Sequence, residues 1–229
     1  VGDIFVAKIR KAVPGLNAAF INVGHEKDGF LHYHDLGPKF PSLLKYIKQV
    51  STGKNKDFLL KQFQFEKDID KDGNVGEVLS PKQTVLVQVI KEPISTKGPR
   101  LSSEISLAGR FMVLMPFSDR VSISQKIEDR AEKSRLKKLV QSIRPKGFGL
   151  IIRTVAEGQK VAALDADIQQ LLTRWKNLSV KLKQIDQFPT KVLSEINRSS
   201  SILRDIFDDH FTGIHVDDAE MQVEIQDYL

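Results

Sequence analysis

No cysteine occurs among the 229 residues, which excludes disulfide bonds and any thiolate-ligated zinc within them. An intracellular protein is compatible with that absence. No apolar run approaches the roughly 20 residues that a membrane-spanning helix requires. The opening Val1-Gly2-Asp3 is neither a signal peptide nor a natural start, so the chain reads as cropped at its N-terminus. Acid is in deficit as well: 29 Asp and Glu stand against 35 Lys and Arg, for a formal charge of +6 and a pI near 9.4. That balance is compatible with a polyanionic partner without requiring one. Apolar residues are plentiful, and at 41% they can supply more than one core in a folded, soluble chain.

Five short β-type runs are expected in the first half: Ile4 to Val13, Asn17 to Val23, Asp28 to Tyr33, Thr84 to Ile90 and Leu101 to Ile105. Pro14-Gly15 and Gly24-His25-Glu26 supply the first two turns. With a long excursion over 36–79 between the third and fourth runs, this order suits an OB-type barrel, whose strand faces commonly bind single-stranded nucleic acid. Period-2 alternation then sorts the side chains. Ala19, Ile21 and Val23 form one face of the second run, which leaves Phe20 opposite with Ala18 and Asn22; Gly29, Leu31 and Tyr33 do the same in the third, leaving Phe30 with Asp28 and His32. Two phenylalanines therefore fall on the more polar faces of neighbouring strands. Beside Lys8 and Arg10, which share the outer face of the first strand, they would make a base-stacking platform in a basic groove.

Within the excursion a short helix is expected around Leu43 to Val50, with a polar tip at Ser51 to Lys56. Asp68-Ile69-Asp70-Lys71-Asp72-Gly73 imitates the start of a calcium-binding EF-hand loop, but the twelfth position is Leu79 rather than the bidentate Glu such a site needs. A solvated acidic turn is the better reading. His32 and His34 are spaced like metal ligands, yet no third ligand is placed by the sequence, which favours ordinary surface or groove histidines.

After Gly109 the pattern becomes α/β. Strands are expected at Phe111 to Met115, Val121 to Ser124 and Phe148 to Arg153, and helices near Lys126 to Ile143 and Leu164 to Leu182. The second helix carries Leu164, Ile168, Leu171, Leu172, Trp175 and Leu178 at helical spacing, a core stripe. Arg153-Thr154 is the pair of interest, because a guanidinium fork and a hydroxyl at a strand end can grip a phosphate; alone it is a weak signal. From Lys191 a short strand to Ile196, a helix through Ile202, Leu203, Ile206 and Phe207, a strand at Ile214 to Val216 and a helix from Asp218 are expected. Asp208, Asp209, Asp217 and Asp218 invite a metal reading, but Asp217-Asp218 fits better as a helix cap and first-turn charge. The chain stops at Leu229 in what reads as mid-domain.

Five stretches, PGLNAAFINVG, KDGFLH, KEPISTKGPRL, EISLAGRFMVLMP and GFGLIIRTVAEG, resemble in order the ribonuclease E/G family, and the resemblance runs over essentially the whole chain. It implies an α+β multidomain architecture: an S1 (OB-fold) barrel over 1–105 with an insertion at about 36–79, an α/β 5′-sensor domain over 106–197, and part of an RNase H-like subdomain over 198–229. It implies an endoribonuclease that cuts single-stranded RNA in RNA processing and decay, favours a 5′-monophosphate end and works in the cytoplasm, as a homo-oligomer when full length. Phe20 and Phe30 would stack on bases with Lys97 beside them, and Gly109, Val113, Arg153 and Thr154 would form the phosphate pocket. Where the family tends to place a basic pair after Ile123-Ser124, Gln125 takes the first position, which puts a phosphate contact there in doubt. The resemblance places the magnesium-binding aspartates and the zinc-binding cysteines of the family enzyme C-terminal to this stretch, so no metal ligands and no catalytic residues are expected within it. A stand-alone S1-type RNA-binding protein is the rival reading, and a calcium-regulated module, resting on the acidic turn alone, is a third.

Overall fold

A computed structural model describes residues 1–55, 58–195, 201–203 and 211–228. Its first strand, β1 (Ile4–Val13), is buried on both sides over its first half: Ala7 and Ile9 enter one core while Ile4 and Val6 enter another. A strand apolar on both faces needs cover on both. One cover is the barrel interior. β1, β2 (Ala18–Ile21), β3 (Gly29–His32), β4 (Thr84–Lys91) and β5 (Arg100–Ser102) run in the order β1-β2-β3-β5-β4, and β4 returns to pair with β1. Only β3 and β5 run parallel within this ring, and the closed five-stranded barrel is OB-like, as expected. β4 repeats the logic of β1, with Val85, Val87 and Val89 inside the barrel and Leu86 in the other core.

The excursion supplies part of the second cover. Its helix α1 (Phe40–Ser51) starts earlier than expected and sends Phe40 into the barrel core, but Leu43, Tyr46, Ile47 and Val50 into the second. The acidic turn is tied down behind it. Tyr33 Oη donates to the Asp70 carbonyl (2.7 Å), the Asn17 amide bridges Gly73 O and Val75 N, and Lys39 pairs with Asp68 at 2.6 Å. A Cβ on Gly73 would collide with the Tyr33 hydroxyl, so this turn needs glycine. The short α2 (Val75–Val78) then leads to β4.

A second sheet, β6 (Leu107–Ala108), β7 (Met112–Pro116), β8 (Val121–Ile123) and β9 (Phe148–Ile152), has the order β6-β7-β9-β8 with β8 parallel to β9. Helices α3 (Arg130–Ile143) and α4 (Val161–Lys183) cover its inner face. The stripe on α4 is core, Trp175 included. Trp175 Nε1 and Tyr46 Oη both donate to Phe58 O (2.9 and 2.8 Å), and Tyr46 Oη also lies 2.6 Å from Ser179 Oγ on α4. The insertion is therefore a brace between the barrel and the α/β unit. Tyr46→Phe removes the shared hydroxyl and should cost about 1–2 kcal/mol in a denaturant titration; an unchanged midpoint would mean the bridge contributes nothing.

Three further expectations need adjustment. α3 begins at Arg130 rather than Lys126, because the Asp129 carboxylate accepts from Ala131 N (2.9 Å) and caps the helix there. The strand foreseen from Lys191 is β10 (Thr190–Leu193), and it leaves the α/β unit to pair antiparallel with β1. Ile214 to Val216 form no strand: among the described residues they meet no partner strand to take up their backbone groups. The last helix, Ala219–Tyr228, is capped as expected, with Met221 N donating to Asp218 Oδ1 at 2.8 Å. Lys56, Ile196, Ile206, Phe207, Asp208 and Asp209 lie outside the described residues.

Candidate nucleic-acid interface

Backbone pairing across the barrel places Lys11, Phe20, Phe30 and Arg100 as successive partners on β1, β2, β3 and β5, with Lys91 of β4 opposite Arg100. The row is two rings flanked by cations. Ala19, Ile21, Leu31 and Tyr33 are buried on the inner faces, which leaves Phe20 and Phe30 half-buried on the outer ones, with ring centroids 5.8 Å apart and nearly edge to face. They line a groove of about 640 Å³ with Asp28, Ile94, Lys97 and Arg100. Its far wall is the β4–β5 loop, where Ile94 and Lys97 pair backbone to backbone. Gly98 presses that loop on the start of β3; a Cβ there would collide with the Asp28 carbonyl.

The structure brings Phe20, Phe30 and Lys97 together. Arg10 reaches the groove through Asp28, with Nη1 at 3.1 and 3.0 Å from the two carboxylate oxygens. Lys8 is not brought there: its Nζ stands 4.6 Å from the ring centroid of Phe188. Lys8 lies further along β1, opposite Thr84 of β4, and a register shift between Ile9 and Lys11 sets Lys11 against Phe20. Arg100 is held by a fork onto Asp35, Nε to Oδ2 at 3.0 Å and Nη2 to Oδ1 at 3.2 Å. His32 is occupied locally, its Nδ1 accepting from His34 N.

The second cluster lies where β6 turns into β7 and β9 ends. Gly109 N donates to Met112 O (2.8 Å), and the tight loop between them wraps the buried Asp167 carboxylate of α4. That carboxylate accepts from the backbone N–H of Arg110, Phe111 and Met112 at 3.0, 2.9 and 3.0 Å. A Cβ on Gly109 would sit 2.6 Å from Asp167 Oδ1, so only glycine allows this approach. On the other side of the loop Arg153 Nη1 donates to Gly109 O (2.9 Å) and Arg110 O (3.3 Å). Thr154 opens a 3₁₀ turn and shares a 3.0 Å hydrogen bond with Ser124 Oγ. Val113 lies alongside on β7, opposite Ile151. Gly109, Val113, Arg153 and Thr154, far apart in sequence, thus converge at one end of the sheet.

The loop after Thr154 is held by α3. Glu132 accepts from Arg135 Nε and Nη2, both at 2.6 Å, and from Gly158 N at 2.8 Å, while Arg135 Nη1 donates to Gln159 O at 3.1 Å. Arg135 and the Gly158 amide together hold the Glu132 carboxyl down at about 2. A depressed carboxylate contributes stability in full above its unfolded value and loses it as pH falls through the folded one. The melting-temperature gap between wild type and Glu132→Gln should therefore be full at neutral pH, shrink below the ordinary carboxylate range and close near pH 2. A gap independent of pH would show that the charge plays no part.

Sequence reasoning missed Lys11, Arg100, Asp167 and Ser124. Lys11 and Arg100 follow from strand register, and Asp167 carried a local signal, a lone acid within an apolar stripe. Among the described residues no three His, Asp or Glu side chains come together as a metal-ligand set. Among the same residues no helix is long and apolar enough to cross a membrane.

The model of the "Ribonuclease E/G family" matches residues 106–229. The chain belongs to the ribonuclease E/G family. Ribonuclease E of Synechocystis sp. is 37% identical over 86% of the chain, and that of Nostoc sp. 33% identical over all of it. Ribonuclease G of Escherichia coli is 32% identical over 95% of the chain. The match covers 28%, 29% and 40% of those proteins respectively, so this ribonuclease E/G chain spans less than half the length of the curated relatives it matches. These relatives cover the barrel as well as the α/β unit that the family model matches.

Proposed function

We propose that this chain is the RNA-gripping and 5′-monophosphate-sensing part of a ribonuclease E/G-type endoribonuclease that cleaves single-stranded RNA, with cleavage carried by residues outside this stretch. The observation that carries the proposal is the pair of half-buried rings, Phe20 and Phe30, set side by side on the outer barrel face between Lys11, Lys97 and Arg100. Stacking is tolerant of base identity and cations track a backbone, so the groove suits a single strand. Gly109, Val113, Arg153 and Thr154 are the proposed seat of the terminal phosphate. There a guanidinium and a hydroxyl offer charge-assisted donors beside a loop whose Gly109 position is too tight for a side chain. Asp28 and Asp35 hold Arg10 and Arg100 at the groove wall and temper their charge.

A second reading has its own observation. Arg153 Nη1 is bonded to the carbonyls of its own chain, which would make the guanidinium a structural tie and the protein a plain single-strand binder. Affinity for a short single-stranded RNA with a 5′-monophosphate, against the same RNA with a 5′-hydroxyl, separates the two. The sensing proposal expects preference for the monophosphate that Arg153→Ala abolishes; equal affinities for both ends would reduce the function to the stacking groove. Magnesium-dependent cutting of RNA by the purified chain would contradict the assignment of cleavage to residues outside it.

A further inference from the structure

The Arg153-Thr154 turn is short and ends in Glu157; after it Gln159 N donates back to Ala156 O (3.1 Å), and the side chains that hold the loop come from α3. Glu132 and Arg135, one helical turn apart, form a fork whose free capacity is spent on that loop: Glu132 takes the Gly158 amide and Arg135 takes the Gln159 carbonyl. Both loop groups belong to the backbone, so the fork fixes the path of the chain whatever the loop's side chains are. Gly158 at φ +72 is in the left-handed region, where the chain reverses toward α4. The Glu132 side chain is 13% exposed, which shields its bonds from competing water. From the other side Asp167 fixes the Gly109 loop, so the two halves of the proposed phosphate seat are each pinned by an acid from a different helix.

We infer that Glu132 and Arg135 are positioning residues for the terminal-phosphate site: they set the Arg153-Thr154 turn at the distance from the Gly109 loop that a phosphate requires, without touching the phosphate. The inference rests on the 5′-sensing proposal above. Its physical content is that a phosphate bound by two or three donors is sensitive to displacements of a fraction of an ångström, and that a loop freed on one side loses its preferred placement. The Glu132 charge is balanced by Arg135, and its carboxylate oxygens are engaged by Arg135 and Gly158.

The test uses the 229-residue chain and one RNA sequence with a 5′-monophosphate or a 5′-hydroxyl end, for wild type, Glu132→Ala, Glu132→Gln and Arg153→Ala. Glu132→Ala should cut the monophosphate-to-hydroxyl affinity ratio about tenfold, while affinity for the hydroxyl RNA stays unchanged. Glu132→Gln keeps an acceptor for Gly158 N and should retain a ratio between those of wild type and Glu132→Ala. A general loss of structure would lower both affinities together and leave the ratio standing, which overturns the inference. A ratio abolished by Arg153→Ala but intact in Glu132→Ala also overturns it and leaves the sensing proposal in place. A wild type without any preference overturns the sensing proposal, and this inference with it.

Discussion

Replacing Asp167 by alanine should destabilise the protein by about 3–4 kcal/mol, the largest loss expected from any single side chain outside the apolar cores. The residue is 6% exposed and its two oxygens accept from three consecutive backbone amides, Arg110 to Met112. Without the carboxylate these donors face a helix that offers them nothing else, and buried N–H groups without partners cost more than the bonds contributed. Asp167→Asn keeps one carbonyl oxygen and puts a donor where Phe111 N and Met112 N now point, so it should recover only part of the loss. Denaturant unfolding of the two variants is the measurement, and losses below about 0.5 kcal/mol, the range of surface substitutions, would mean that the loop finds other partners.

The second large effect concerns the groove. Phe30→Ala should weaken binding of a single-stranded RNA by about 1–3 kcal/mol, the contribution of one stacked base. Phe20→Ala should behave likewise, and the double variant should lose more than either alone. Both rings are half-buried on the outer face, so the fold should melt nearly as wild type does. Affinity unchanged in the double variant would remove the stacking role. The same loss for a 5′-hydroxyl and a 5′-monophosphate RNA is expected, because the rings act on the strand and not on its end.

How much of this was legible in the sequence depends on whether the cause was local. The faces of Phe20 and Phe30 were, because period-2 alternation of Ala19, Ile21 and Leu31 decides them without knowledge of any partner strand. The succession of five short β-runs was legible for a related reason, since turn residues punctuate them locally, but the placing of β5 between β3 and β4 was not. Lys8 was assigned to the groove by the same alternation, and the structure sets Lys11 opposite Phe20 instead, because the register shift after Ile9 breaks the count. Arg100 is placed by a parallel pairing with β3, a neighbour some seventy positions earlier that no local pattern names. The excursion showed an amphipathic helix but not its partners; that α1 bridges two cores depends on Tyr46, Trp175 and Phe58 meeting across the chain. β10 read as a short strand, and nothing local says that it returns to β1. Among the site residues, Arg153-Thr154 gave a weak signal of its own at a strand end, Gly109 and Val113 came from resemblance to the family alone, and the structure adds what holds them: Asp167 behind the loop, Ser124 beside Thr154, and the fork on α3.

The central claim is that one strand of RNA engages two places on one braced frame, its bases on the barrel and its 5′ end at the sheet end. Backbone amide shifts measured on titration with a short RNA test this most directly, once with a 5′-monophosphate and once with a 5′-hydroxyl. Both RNAs should shift the amides of Phe20, Phe30 and Lys97, and only the monophosphate should shift those of Gly109 to Met112 with Arg153 and Thr154. Identical shift patterns from the two RNAs, or shifts confined to the barrel, would contradict the account.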